Sequence, residues 1–433
     1  MIKRLFLRLR LGAALICITA CFVLGTASAQ SLVFLSTQLV PIEEAEAMRR
    51  QILADFPKSV EFIPEAAGPF IDRLLAEARA GRGTVDLIGT LHGDFPQLVG
   101  ANAVQPVTEL ATALADRGFT QVFMELGRLG TETQYYIPWM QATYIMAAHQ
   151  QALAYLPEGA DLNRLTYAQL TEWAANIQEA TGNRKLGFPA GPGGLMHRFL
   201  QGYLYPSFTG SVVREFRSEA AAEMWQTFKD LWRHVHPSST VYSFMQEPLL
   251  AGEVWIAWDH TARLLDALRQ RPDEFVAFPA PAGPQGRGFM PVLTGLGIPT
   301  TAPNPEGAAE LIAYLTRPEV QASVLQAGIG FFPVVEVELP EDLPQGVRLA
   351  GDAIRQQAGA EDALTSLLPV GLGGLGGEFN KVFLDTFTRI TLRGENIRQV
   401  LDAEAENLRR IINESGAPCW PPDEPSVGPC PVN

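Results

Sequence analysis

Between Leu32 and Ile88 the apolar residues switch back and forth between two spacings, and a chain that does this has few folds open to it. Leu32 to Leu35, Val60 to Ile63 and Val85-Asp86-Leu87-Ile88 are short apolar runs of strand type. Between them Ala45, Met48, Ile52 and Phe56 recur at helical spacing, and a second helical segment runs from Phe70 to Ala80. Pro41 suits the first turn of the earlier helix, where no N–H is needed. The order is βαβαβ, which belongs to α/β architecture.

The remainder continues in mixed fashion. Short helices are expected from Asp94 to Leu126, then extended segments at Tyr135 to Trp139 and Tyr144 to Met146. Helices are predicted over Thr166 to Ala180 and Ser218 to Val235, the latter burying Met224, Trp225, Phe228, Leu231 and Trp232. Glu253 to Trp258 reads as a strand before an Asp259-capped helix ending near Gln270. The Pro/Gly-dense stretch from Pro279 to Gly288 reads as a linker between lobes. Helices follow from Asn304 through Gln326, Glu378 to Leu392 and Glu395 to Ile412. A length of 433 residues predicts two or three domains.

The amino terminus indicates export. Lys3, Arg4, Arg8 and Arg10 precede the apolar run Leu11 to Leu24, which ends at Ala27-Ser28-Ala29 before Gln30, as in a cleaved secretory signal. Lipidation at Cys21 is the weaker alternative, because Phe22-Val23-Leu24 continues the apolar run past it. No later stretch approaches the roughly 20 apolar residues of a membrane span, so the mature chain is expected to be soluble. Loss of the leader's four basic residues takes the net charge from −14 to −18, which argues against nucleic acid or an anionic membrane as partner.

Two cysteines remain, Cys419 and Cys430, within a proline-rich tail spanning 413–433 that cannot be helical. In an oxidising compartment they are expected to close a small loop and pin the carboxyl terminus, with a stabilisation of roughly 3 kcal/mol.

The order of motifs resembles the extracellular solute-binding proteins of ABC importers, in particular the sugar-binding, maltose-binding-like family. Val85 to Asp94 with Leu98, Ala103 to Val107 and Leu110 resembles that family's segment of PDV, a polar or aromatic residue, D, a leader, G-ALxPL and L. Tyr136-Ile137-Pro138-Trp139 is similar to its YxxPW crossing, and Leu249 to Asp259 to its FxxGxAAM strand. The proline-glycine segment with Gly295 to Ile298, then Pro305 to Glu310, Pro318 to Gln321 and Gly330 to Val334, continue the match in order. The resemblance implies a two-lobed, type II-like periplasmic-binding-protein fold with several hinge crossings. The lobes are expected to be 30–140 plus 289–338 and 141–288 plus 339–412. It further implies a monomer that captures a mono- or oligosaccharide in the cleft and delivers it to membrane permease subunits, with no cofactor and no catalysis.

Ligand contacts are expected at loops after strand ends and at the crossings, where both lobes converge. The resemblance places Trp139 at the cleft, its indole stacked on a pyranose, with Gln141 and Tyr144 supplying polar groups. Gln38 follows the first strand; His92 and Asp94 follow the third. Gly193 and Gly194 form a turn that lets backbone amides approach a ligand, and His197 and Arg198 sit in the helical turn beyond it. Trp258 is either a second stacking surface or core, and Asp259 either accepts sugar hydroxyls or caps its helix. Phe332 offers stacking surface or hinge core. Many sugar-binding relatives carry aromatic residues where this chain has Gln38, so the sugar itself is left open.

Other patterns carry less. Gly371 to Gly376 spells G-x-G-x-x-G but lacks the strand and acidic partner of a dinucleotide site, and reads as a loop opening the Glu378 helix. His234 and His236 lie on different helix faces and do not make a metal site. A secreted glycosidase using Asp94 and Asp259, and a binder of a polyamine or phosphorylated polyol, are the alternatives.

Overall fold

The computed structural model describes residues 31–39, 42–338 and 340–433. The leader and Cys21 lie outside the described residues. Eleven strands occur among them: β1 Leu32–Ser36, β2 Val60–Pro64, β3 Leu87–Leu91, β4 Ile137–Ala142, β5 Tyr144–His149, β6 Leu186–Gly187, β7 Ile256–His260, β8 Phe275–Phe278, β9 Arg287–Phe289, β10 Val292–Gly297 and β11 Ala363–Thr365. They form a five-stranded sheet in the order β2-β1-β3-β10-β4, a four-stranded sheet in the order β6-β7-β5-β8, and a β9-β11 pair.

Each large sheet is the spine of a lobe. In the amino-terminal lobe β1, β2 and β3 run parallel, and their carboxyl ends open at Ser36, Pro64 and Leu91. β10 lies antiparallel between β3 and β4, so the chain enters this sheet at Val292 and leaves it at Ala142 on the same end. Only Thr143 separates β4 from β5, which carries the chain into the second sheet. There β5 begins opposite His260, the end of β7, so both sheets direct their strand ends toward one interface. A backbone pair between Gln141 and Phe332, with N···O distances of 2.9 and 2.7 Å, closes a further crossing beside the first.

Packing follows the period switch. Leu32, Phe34, Leu87, Ile137, Trp139 and Leu296 fill one side of the first sheet with Leu311, Ile312, Leu315 and Val324 from the helices Pro305–Leu315 and Pro318–Ala327. Leu35, Ile88 and Leu293 fill the other side, against Phe70, Leu74, Phe95 and Leu98. The second lobe holds the aromatic core, including Met224, Trp225, Phe228 and Leu231 from the helix Glu219–Trp232. Trp232 is only partly buried there.

The expected elements recur with shifted ends: β3 starts at Leu87, the helix expected at Phe70 starts at Ala67, and the strand expected at Glu253 starts at Ile256. The linker reading of Pro279 to Gly288 needs correction. Gly283 is packed so closely that a Cβ would fall 2.5 Å from the Ser207 carbonyl oxygen, and Arg287 and Gly288 belong to β9. The segment is therefore part of the second lobe's interior, and the chain crosses just after it, between Phe289 and Val292.

The tail is bonded. Cys419 and Cys430 form a disulfide, Trp420 packs edge-on against Phe379 at 5.5 Å, and the Asp423 carboxylate is buried. That carboxylate accepts the Ser211 hydroxyl and the backbone N–H groups of Val212, Val213 and Arg214, the latter three at 2.9 to 3.0 Å.

Candidate functional site

The parallel strands of the first sheet leave their last polar side chains at the interface of the lobes, and these bond to one another. The Thr37 hydroxyl lies 2.9 Å from that of Thr90, and Thr90 donates to Asp94 Oδ2. Gln38 Nε2 donates to Thr37 Oγ1 at 2.9 Å. Burial raises the Asp94 carboxyl above its usual range, opposed by the Thr90 bond. His92 is buried beside Asp94, with Nδ1 2.9 Å from the Tyr136 hydroxyl, and burial pushes its pKa down to about 4. It is held in the neutral form and faces its own lobe.

Facing Asp94 is a cavity of about 530 Å³ walled by both lobes. Leu91, Gly93, Asp94, Pro96 and Gln97 come from the first lobe; Arg198, Asn380 and the stretch Leu368 to Gly376 come from the second. Arg198 Nη1 donates to Gln201 Oε1 at 3.1 Å, and Gln201 Nε2 to Asn380 Oδ1 at 3.0 Å. His197, next to it, is pushed down to about 3 by burial and then by Arg198 and Arg263, and its Nδ1 is buried with no partner among the described residues.

A second cavity, of about 660 Å³, is a different one. It lies beside the crossings and takes in Gln141 and Phe332 with Leu325, Val335, Leu343, Val347 and Ile354. Gln141 Nε2 donates to the Pro333 carbonyl at 2.8 Å, so both residues are engaged in the hinge itself. Its lining is mainly apolar, and it contains none of the strand-end polar groups around Asp94.

Three expected contacts are corrected. Trp139 is 1% exposed and packs against Phe34, ring centroids 5.3 Å apart, across β3 at Gly89. A Cβ on Gly89 would fall 2.8 Å from the indole, which explains a glycine inside a central strand. Trp139 is core and offers no face to a sugar. Trp258 is 0% exposed, stacked on Tyr144 at 5.0 Å with Phe199 and Tyr203 edge-on. Asp259, also 0% exposed, accepts the Met245 and His260 amides at 2.9 and 2.7 Å and lies 3.6 Å from Arg263, and burial pushes its pKa up to about 7. It joins β7 to the helix Gln246–Leu250. The helix after β7 is capped by His260, whose Nδ1 accepts from the Ala262 amide.

Gly193 and Gly194 do form a turn, closed by the Gly194 N–H donating to Gly191 O at 2.9 Å. A Cβ on Gly194 would fall 2.0 Å from the Pro189 carbonyl oxygen, so glycine is needed for the turn itself. Of the expected contacts, then, Asp94 and Arg198 share the interlobe cavity. Gln38, His92 and Tyr144 do not line it. The loop from Leu368 to Gly376 and Asn380 were missed, although the G-x-G-x-x-G run that opens a helix was their visible signal.

A model of the family described as bacterial extracellular solute-binding protein matches residues 43–322, more than half of the chain. The chain belongs to this family. The solute-binding fold extends beyond the matched region. The sugar-binding protein MalE from Xanthomonas citri superposes with a TM-score of 0.70 at 18% identity, over 88% of this chain and 97% of that one. Maltose-bound MalE3 of T. maritima gives 0.68 at 18% identity, over 88% and 100%. UgpB from Mycobacterium tuberculosis, in complex with glycerophosphocholine, gives 0.66 at 17% identity, over 89% and 99%. No curated protein matches the chain in sequence. The two lobes, their crossings and the cleft are thus those of a solute-binding protein, and no described helix is long and apolar enough to cross a membrane.

Proposed function

We propose that this solute-binding protein captures a carbohydrate between its lobes and delivers it, unaltered, to the membrane permease of an ABC importer. The observation that carries the reading is the interlobe cavity, in which Asp94 from one lobe and Arg198 and Asn380 from the other meet without bonding to each other. A polyhydroxylated ligand donates to a carboxylate and accepts from a guanidinium or amide with the same hydroxyl groups. Because it would reach both walls only when they approach, it has the differential affinity that drives closure. Lobes comprising 30–140 plus 289–338 and 141–288 plus 339–412 would move as the two bodies. Cleavage of the leader after Ala29 would place a monomer in the periplasm or outside the cell.

Support for a sugar comes from neighbours whose described ligands are maltose, maltotriose and acarbose, while glycerophosphocholine in another keeps the phosphorylated polyol as the second reading. A glycosidase is disfavoured by its own residues. Asp259 is sealed in the second lobe and cannot face Asp94 across a substrate.

Native mass spectrometry of freshly purified protein, followed by calorimetry with an oligosaccharide panel, tests the proposal. One retained sugar per chain, released intact, is expected. Turnover of the sugar, or a retained compound without hydroxylated rings, would overturn it.

A further inference from the structure

The two walls of the interlobe cavity differ in what they leave unsatisfied. On the first lobe Thr37, Thr90 and Asp94 bond in series. On the second, Arg198 makes one hydrogen bond, to the neutral amide of Gln201, and its remaining N–H groups have no acceptor among the described residues. No Asp or Glu carboxylate among the described residues lies within 4.0 Å of this guanidinium. The nearby Arg263 is engaged elsewhere, with Asp259 at 3.6 Å and the Ser243 carbonyl at 2.9 Å.

Arg198 is half-buried and its free N–H groups open onto the cavity, yet partial burial of a cation without a counter-charge is costly and lowers its pKa, with only the Tyr144 hydroxyl acting to raise it. His197 supports the same sign. It sits beside Arg198 with a buried, unpartnered Nδ1, in a field positive enough to add to its own desolvation in keeping the ring neutral. Asp94, across the cavity, does not supply the missing charge. It lies beyond ion-pair distance, one of its oxygens is occupied by Thr90, and its proton affinity is raised.

We infer that the captured carbohydrate carries an anionic substituent, a carboxylate or a phosphate, which the free edge of Arg198 takes as a two-pronged acceptor while ring hydroxyls donate to Asp94. A guanidinium presents its N–H groups in a plane that matches either oxyanion, and such paired bonds are about twice as strong as neutral ones. The inference rests on the carbohydrate reading and narrows it to sugar acids and sugar phosphates.

Matched pairs of probes separate the possibilities. Galactose against galacturonate, and glucose against glucose 6-phosphate, are titrated into the mature protein by calorimetry and thermal shift. The charged member of at least one pair is expected to bind about tenfold tighter or more, with an advantage that shrinks as salt is added. The pair that responds tells carboxylate from phosphate. Arg198→Gln should abolish the advantage, and Arg198→Lys, which keeps the charge but loses the fork, should retain part of it. If Arg198→Gln does not fold, the wild-type pairs and the lysine variant still decide.

Equal binding of neutral and charged members would overturn the inference and leave the carbohydrate reading intact. Should no probe bind, the ligand eluted from the protein is analysed by mass spectrometry. A sugar without an acidic group overturns the inference alone, and a compound that is not a sugar overturns both.

Discussion

The amino-terminal wall of the cleft is the end of a sheet, whereas the opposite wall is in large part a glycine-rich loop held from behind by the chain's own tail. β3, which leads to His92 and Asp94, is hydrogen-bonded on both sides, to β1 and β10, and is crossed by Trp139 at Gly89. The loop from Leu368 to Gly376 has no sheet. It is fixed by the Ser366 N–H donating to Phe289 O at 2.8 Å and the Leu367 N–H to Pro421 O at 3.1 Å. At Gly371 the space behind it is filled by Ala417 and Pro418, about 3.5 Å from where a side chain would start. One wall inherits its position from the lobe's core, and the other from a disulfide-closed strap whose Asp423 is anchored on residues 211–214. Damage to the first should therefore appear as lost fold, and damage to the second as a loosened site.

The largest expected effect tests the first half of that contrast. Trp139→Ala should cost about 3 to 5 kcal/mol of stability, the usual range for emptying a buried aromatic site, while the protein that stays folded keeps its ligand affinity. Urea denaturation paired with calorimetry measures both. A folded variant with weakened binding would show that the indole reaches the cleft after all. The second half is tested by Asp423→Ala, which strands three buried donors and one half-buried one and should cost about 3 kcal/mol. Hydrogen exchange should then rise across 366–376 before it rises in β3, and equal protection of both would remove the tail as the loop's support.

How much of this was legible in the sequence follows the same division. The period switch located β1, β2 and the helices between them, because strand and helix bury their residues at different spacings. The site was less legible. Asp94 and Arg198 could be nominated from strand-end and helix-start positions, but Trp139 was misplaced, since an aromatic beside a crossing looks the same whether its strand turns it to the cleft or to the core. Asp259 failed for a related reason: its partners Met245 and Arg263 are distant or unmarked in sequence, and only the fold shows both oxygens engaged. The strap's effect on the Gly371 loop depends on contacts across some 50 residues, which no local pattern encodes.

Acid should act on both walls. His92 and His260 titrate near 4 and His197 near 3, all below the usual 6.5, chiefly because burial disfavours their charged forms. Their contribution to stability is present above about pH 6.5 and is lost as pH falls toward 4, since the unfolded chain takes up protons that the folded one refuses. Asp259 opposes them. Its raised pKa favours the folded state at low pH, and that contribution is lost as pH rises through about 7. The lowered histidines outnumber the raised carboxyls Asp259 and Asp94, so melting temperature should drop between pH 6.5 and 4. His92→Gln should flatten this profile, and a melting temperature that climbs on acidification would mean that Asp259 dominates.

The smallest effect is the most discriminating. Asp94 is half-buried, and its Oδ2 is already satisfied by Thr90, so Asp94→Asn preserves shape and costs little stability. What it changes is charge at the cavity wall. A hydroxyl donating to a carboxylate makes a stronger bond than one donating to an amide oxygen, and the expected loss of affinity is roughly fivefold to tenfold. With a neutral sugar that loss should be seen whole. With an anionic ligand gripped by Arg198 it should be smaller, because removing the carboxylate also removes a repulsion across the cleft. Isothermal titration of the variant against wild type, at low and at high salt, separates the two contributions. An affinity that rises in Asp94→Asn would mean that the ligand meets Asp94 with its own negative charge, and that the two walls share one task.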